Sequence, residues 1–443
     1  LTVETLRIGA GAGFSGDRLE PAQVLAERGN LDYLVLECLA ERTIALAQLR
    51  RRHDPEAGYD PLLQRRLEPL LSKLKRNRIR LLTNMGAANP LAAARRVVEM
   101  ARRLEIPLRV AAVTGDDVLA SLDLDQPALE SGRRLRDYAP VVSANAYLGV
   151  DAMLPALASG ADVVITGRVA DPSLFVAPLV HRFDWRLDDF DRIARGTAIG
   201  HLLECAGQVC GGYFADPGKK DVPGLASLGF PYADVRADGS GIVGKVAGTG
   251  GRIDLSTVTE QLLYEVSDPA SYVTPDVVAD FTAVRLRQEE VDRVSVAGGL
   301  GRSRPAALKV SVGYQAGYVG EGEISYAGSN AVRRAELAGA IVRERLCGEI
   351  GEVRVDLIGS TALHGRAFFA DEKPYEVRLR VAARCETREA AARVGEEVEA
   401  LYTNGPAGGG GARKIVQEQV GIVSCLIARD RVTPRLTLFE SMP

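Results

Sequence analysis

The sequence is poor in the features that would tie it to a special environment. Aromatic residues make up 5% of its 443 residues and there is one tryptophan, Trp185, too little for a surface on which bases stack. Six cysteines (Cys38, Cys205, Cys210, Cys347, Cys385, Cys425) are scattered without a CxxC pair. That spacing fits neither a zinc site nor an iron–sulfur cluster, so no metal is expected, and the thiols read as the reduced thiols of a cytoplasmic protein. No apolar run is long enough to span a bilayer, and the opening LTVETLRIGAG has neither the charged nor the apolar block of a secretion signal, so no membrane association is expected. The formal net charge is -3, which offers no basic surface for nucleic acid. Arg50, Arg51 and Arg52 cluster at the end of an expected helix and read as its solvated face. There is no GxxxxGK[ST] loop and no GxSxG elbow, which argues against P-loop phosphoryl transfer and against serine hydrolysis.

What is present is alternation. Strands are expected over 5–8, 31–36, 79–83, 108–113, 141–145 and 163–166, and helices over 21–28, 41–52, 61–76, 90–104 and 151–159. Strand–helix–strand units of this length imply an α/β fold, a doubly wound, mostly parallel sheet. Beyond residue 196 the pattern changes. A helix is expected over 197–209, then a long Gly/Pro-rich loop insertion near 211–251. Strands over 308–314 and 318–326, joined by a hairpin turn at 315–317, lead to a helix over 331–346 and a strand over 353–358. A similar group follows over 375–385, 387–402 and 422–427. The expected organisation is an α/β core over 1–300 and an α+β, ferredoxin-like domain over 301–443.

In an open parallel sheet, ligands bind beyond the carboxyl ends of the strands. Those ends carry Gly11, Gly13, Gly16 and Asp17, then Glu37, Asn84, Asp116, Asn145, and Arg168 with Asp171. The glycines spell GxGxxG, with Glu37 where a ribose-binding carboxylate would stand, but Asp17, Arg18, Leu19 and Glu20 intervene before the helix. The loop is either an anion or carbonyl cradle built from backbone N–H groups, or a structural turn. Arg168 either clamps a carboxylate or braces its own loop against Asp171. His201, Glu204 and Cys205 fall on one helix face, as an acid–base set or as core residues. Lys220 and Gly250 sit in glycine-rich turns suited to an anion.

Long segments are recognisable: RIGAGAGFSGDR (7–18), SANAYLGVDAMLPALASGADVVITGRVADPSL (143–174), GHLLECAGQVCGGYFADPGKKDVPGLASLGFP (200–231) and KVSVGYQAGYVGEGEISYAG (309–328). They resemble the core domain of the acyclic terpene utilisation (AtuA) family, with similarity over 6–360. The family takes its name from the breakdown of citronellol and geraniol through CoA thioesters. The resemblance implies an enzyme of acyl-CoA or branched carboxylic acid metabolism, with lyase or hydratase chemistry next to a carbonyl. It supplies no agreed catalytic set. Many members are followed by a small ferredoxin-like module with an AHARSGDKG-type start. This sequence lacks that motif, so a separate small subunit is an expected partner beside a homo-oligomer. On this reading Glu204, His201 or Asp171 moves the proton, and Asn145 with the glycine loop polarises the carbonyl. Arg168, Asn84, Asp116, Lys220 and Gly250 hold the anion. Coenzyme A would enter as part of the substrate. Two alternatives stand beside it: a nucleotide-dependent dehydrogenase or ligase using the glycine loop, and a non-catalytic subunit of a catabolic complex.

Overall fold

The computed structural model describes residues 4–138, 140–365 and 374–441. It divides into two compact units: the chain up to Gly313 together with Ile422 onward, and Tyr314–Gly421.

The first unit opens with β1 (Thr5–Ala12), α1 (Glu20–Arg28), β2 (Tyr33–Leu36), α2 (Glu41–His53), α3 (Leu63–Asn77), β3 (Arg80–Thr83), α4 (Pro90–Arg103) and β4 (Arg109–Thr114). It continues through β5 (Val141–Ala146), α5 (Val150–Ala158), β6 (Val163–Thr166), α6 (Ser173–Phe183) and α7 (Phe190–Glu204). Every residue of β2 (YLVL) and β6 (VVIT) is buried, as strands covered on both faces must be. Helix α4 starts where Asn89 accepts from Ala92 N and Pro90 supplies a preset φ. Helices α1, α3 and α4 pack in succession, as do α5, α6 and α7.

Strands β1, β2, β3, β6 and β4 are parallel neighbours in that order. The sheet as a whole is mixed, which corrects the mostly parallel expectation. The segment expected to be a long loop contains β7 (Pro231–Arg236) and β8 (Gly241–Lys245), which extend the sheet antiparallel from β1. Helix α8 (Leu255–Leu263) follows, then β9 (Tyr272–Val273), β10 (Val278–Asp280), β11 (Arg285–Glu290), β12 (Arg293–Ala297) and β13 (Leu300–Arg302). Strands β12 and β11 continue the sheet, while β13, β10 and β9 form a small sheet of their own.

The hairpin expected at 315–317 does not form. One strand, β14 (Ala307–Ala327), runs through, with Gly317 at φ 78° inside it. Its first residues pair with β5 in the first unit, and from Tyr318 onward it pairs with β16. The second unit adds α9 (Ala331–Leu346), β15 (Val353–Ile358), β16 (Glu376–Cys385), α10 (Arg388–Glu399) and β17 (Gly410–Ala428), whose residues from Ile422 belong to the first unit, in the sheet order β15-β16-β14-β17. Its core joins Ile324, Leu379 and Val381 of the sheet to Ala335, Val342, Val394 and Val398 of the helices. The chain then returns to the first unit, where β18 (Arg435–Glu440) pairs antiparallel with β4.

Candidate functional site

The parallel strands end on one edge of the sheet, and Arg168 is the hub of what gathers there. Gly167 lets the chain pass Asp116 closely: a Cβ would come 2.5 Å from its carboxylate. Arg168 N and Asn145 Nδ2 both donate to Asp116 Oδ2 at 2.9 Å, and burial lifts the Asp116 carboxyl to about 6. The Arg168 side chain is 1% exposed. Its Nε and Nη2 donate to Val169 O at 2.9 and 2.7 Å, Nη1 donates to Leu39 O, and Nη2 pairs with Asp171. Burial alone would weaken this cation, but Asp171, Tyr147, Glu37 and Glu41 together raise its proton affinity.

Asp171 precedes α6 and is 35% exposed. Its carboxyl is pushed up to about 7, by enclosure first and by Glu204 and Glu41, against the pull of Arg168. Behind it, at the end of β2, Glu37 is buried. Its Oε1 accepts from Asn84 Nδ2 at 2.9 Å and Leu39 N at 2.8 Å, and Asn84 Oδ1 accepts from Cys38 N at 2.7 Å. Burial, then the charge of Asp171, pushes Glu37 well above the carboxylate range.

Helix α7 delivers the second group. Gly200 lets it lie against Pro172, where a Cβ would be 2.8 Å from the carbonyl oxygen. His201 Nδ1 meets Glu204 Oε1 at 2.9 Å, while His201 Nε2 and Glu204 Oε2 are buried without a hydrogen-bond partner among the described residues. Burial raises the Glu204 carboxyl against the pull of His201. The His201 ring lies 5.1 Å from that of Tyr272, whose hydroxyl is held protonated by burial and by the charges of Glu204 and Asp171.

Asp171 and Tyr272 open on a cleft of about 350 Å³, walled also by Tyr147, Pro275, Leu308 and Lys309. That volume is at the small end for ligand sites. The Tyr147 hydroxyl donates to Glu41 Oε1 at 2.5 Å, and Lys309 Nζ reaches the same oxygen at 3.3 Å. The Arg168 guanidinium carbon is 4.5 Å from the centre of the Tyr147 ring.

The glycine loop is occupied by its own side chain. Asp17 Oδ2 accepts from Gly13 N at 3.0 Å and Oδ1 from Arg18 N at 2.8 Å. Arg66, 1% exposed, ties down the carbonyls of Ser15, Asp17 and Arg18. Gly11 gives room for Leu36 and Ala22, Gly13 for the Cys205 backbone, and Gly16 for the Phe14 ring. Helix α1 begins at Glu20, so no glycine of the loop starts it. This is a braced turn rather than an open anion cradle. Lys220 and Gly250 do not join the cluster. Lys220 Nζ pairs with Glu260 Oε2 at 2.5 Å, and Gly250 packs on the Gly224 backbone. Among the described residues no group of His, Cys, Asp or Glu is arranged to hold a metal ion.

Sequence reasoning therefore placed Asp171, Arg168, Asp116, Asn145 and Asn84 on one edge, where the structure brings them together, with His201 and Glu204 beside them. It passed over Glu41, Tyr147, Tyr272 and Lys309 as candidates. Tyr147 carried a signal, two residues after Asn145 at a strand end. Lys309 carried none, since only its alignment beside Tyr147 brings it to the cleft: Tyr147 N donates to Lys309 O at 2.9 Å.

No curated protein and no solved structure matches the chain. Residues 6–438 match the model of the acyclic terpene utilisation family protein AtuA. The match runs through the second unit and past residue 364, beyond the stretch where the resemblance was first visible. The chain therefore belongs to the acyclic terpene utilisation family AtuA, a family whose name gives it a part in the use of acyclic terpenes.

Proposed function

We propose that the chain is an enzyme of acyl-CoA or branched carboxylic acid metabolism that moves a proton beside a carbonyl, as lyases and hydratases do. One observation carries this reading. Asp171 opens on an apolar-walled cleft with its proton affinity near neutrality, and Glu37 and Arg168 stand directly behind it. A carboxyl poised near the working pH can both take and return a proton. Arg168 fixes its position, enclosure with Glu204 and Glu41 raises its proton affinity, and its charge in turn keeps Glu37 protonated behind it. Asn145 and Gly13 N, expected to polarise the carbonyl, are engaged by Asp116 and Asp17, which leaves donors of the cleft wall for that task. His201 lies behind Tyr272 and, with Glu204, sets the local field rather than meeting the substrate. The β-α-β-β-α-β order of the second unit supports reading it as ferredoxin-like.

The test is proton exchange. The protein is incubated in deuterium oxide with a panel of methyl-branched acyl-CoA thioesters and the free acids, and mass spectrometry follows label at the carbon next to the carbonyl. The reading expects incorporation or turnover by the wild type and its loss in Asp171→Asn. No reaction with any member of the panel, or equal reaction in the variant, would overturn it.

A further inference from the structure

Arg168 cannot be the group that receives a substrate's negative charge. It is 1% exposed, and its donors are spent on Leu39 O, Val169 O and Asp171. Among the described residues that line the cleft, Lys309 is the one cation and Asp171 the one carboxylate. Lys309 stands on β14 between Leu308, which lines the same cleft, and the buried Val310. Its backbone is fixed by Tyr147 N, and its side chain is 46% exposed. Its ammonium lies 5.0 Å from the centre of the Tyr147 ring, which favours a cation in that place. It pairs with Glu41 at 3.3 Å, on the oxygen that also takes the Tyr147 hydroxyl at 2.5 Å. An ammonium has three donors, so two remain for a ligand. The other walls near it, Leu308, Pro305 and Pro275, are apolar and offer an anion nothing.

We propose that Lys309 is the specificity-determining anchor for an anionic group of the ligand, a carboxylate or a phosphate, and that it orients the ligand so that its reacting end faces Asp171. This rests on the proton-transfer reading for the place of Asp171, but the anchoring itself is a binding property. Lys309→Met therefore acts on affinity and Asp171→Asn on turnover, and the two ideas fail separately.

Binding is measured by isothermal titration at pH 7.5 with three probes: citronellate, its neutral amide, and coenzyme A. Citronellate reports a carboxylate at the anchor, and coenzyme A reports a phosphate. The wild type is expected to bind one of the anions at least tenfold more tightly than the amide. Lys309→Met is expected to abolish that preference and Lys309→Arg to restore most of it, while Asp171→Asn, which removes a negative charge from the same cleft, is expected not to weaken it. A Lys309→Met protein that still prefers the anion overturns the proposal. So does a wild type that binds the amide as tightly as either anion, or that binds none of the three.

Discussion

Gly13 lies directly against Cys205: a Cβ on Gly13 would come 2.6 Å from the Cys205 carbonyl carbon. That contact locks the turn after β1 to the end of α7, one residue past Glu204. Gly13→Ala must push backbone against backbone, and we expect it to cost about 1–3 kcal/mol, as overpacking does. Gly16→Ala is the control, since a methyl there meets only the Phe14 ring, which can turn away. Chemical denaturation of the two variants checks this. Equal losses would mean that the Gly13 contact is not special.

Asp17 already fills the place at which a dinucleotide fold holds pyrophosphate. Thermal shift assays with NAD, NADP, their reduced forms and ATP are therefore expected to show no stabilisation. A clear shift with any of them would revive the nucleotide reading.

Among the enclosed carboxyls that bind protons more tightly in the folded chain, three aspartates move far from their ordinary 3.8: Asp116 and Asp276 to about 6 and Asp171 to about 7. Between pH about 4 and about 7 these groups hold more protons in the folded state than in the unfolded one, so their contribution to stability falls as pH rises through that window. His181, whose proton affinity burial lowers, and Glu41, which despite its burial the hydrogen bond from Tyr147 holds down to about 2, work the other way. Asp116→Asn keeps a carbonyl acceptor for Arg168 N and removes one of the three. Its melting temperature should fall less than that of the wild type between pH about 5 and about 7.5. Parallel curves would contradict the assignment to Asp116.

Glu37→Gln removes the carboxylate behind Asp171 while keeping an oxygen for Asn84 and Leu39. One ionisation, that of Asp171, should remain near its wild-type midpoint, and the higher one contributed by Glu37 should disappear. The pH profile of the exchange reaction reads this directly, and an unchanged profile would place Glu37 outside the proton-sharing set.

The sheet was legible where short apolar runs such as YLVL and VVIT stand between turn residues, because strands buried on both faces must be apolar throughout. Helix α7 was read as starting seven residues late. Gly196 and Gly200 weaken its helical pattern, yet they are there to admit Trp185 and Pro172. The Asp189 cap, which accepts from Arg192 N at 3.3 Å, marks the true start. Hairpin β7–β8 hid in a Gly/Pro-rich stretch, since Pro231 and Gly241 open its strands. In β14 the Gln315–Ala316–Gly317 sequence has turn composition, but these residues are held inside one strand, with β16 beside it from Tyr318 onward and β17 as its other neighbour. The site divides the same way. Residues at strand ends announce themselves locally, whereas Lys309 and Tyr272 reach the cleft only through long-range packing.

The most direct measurement is the pH dependence of deuterium exchange in the wild type and in Asp171→Asn. The account predicts a wild-type rate governed by an ionisation near 7, and a variant in which both the rate and that ionisation are lost. A variant that exchanges label at the wild-type rate with the same midpoint would show that some other group moves the proton.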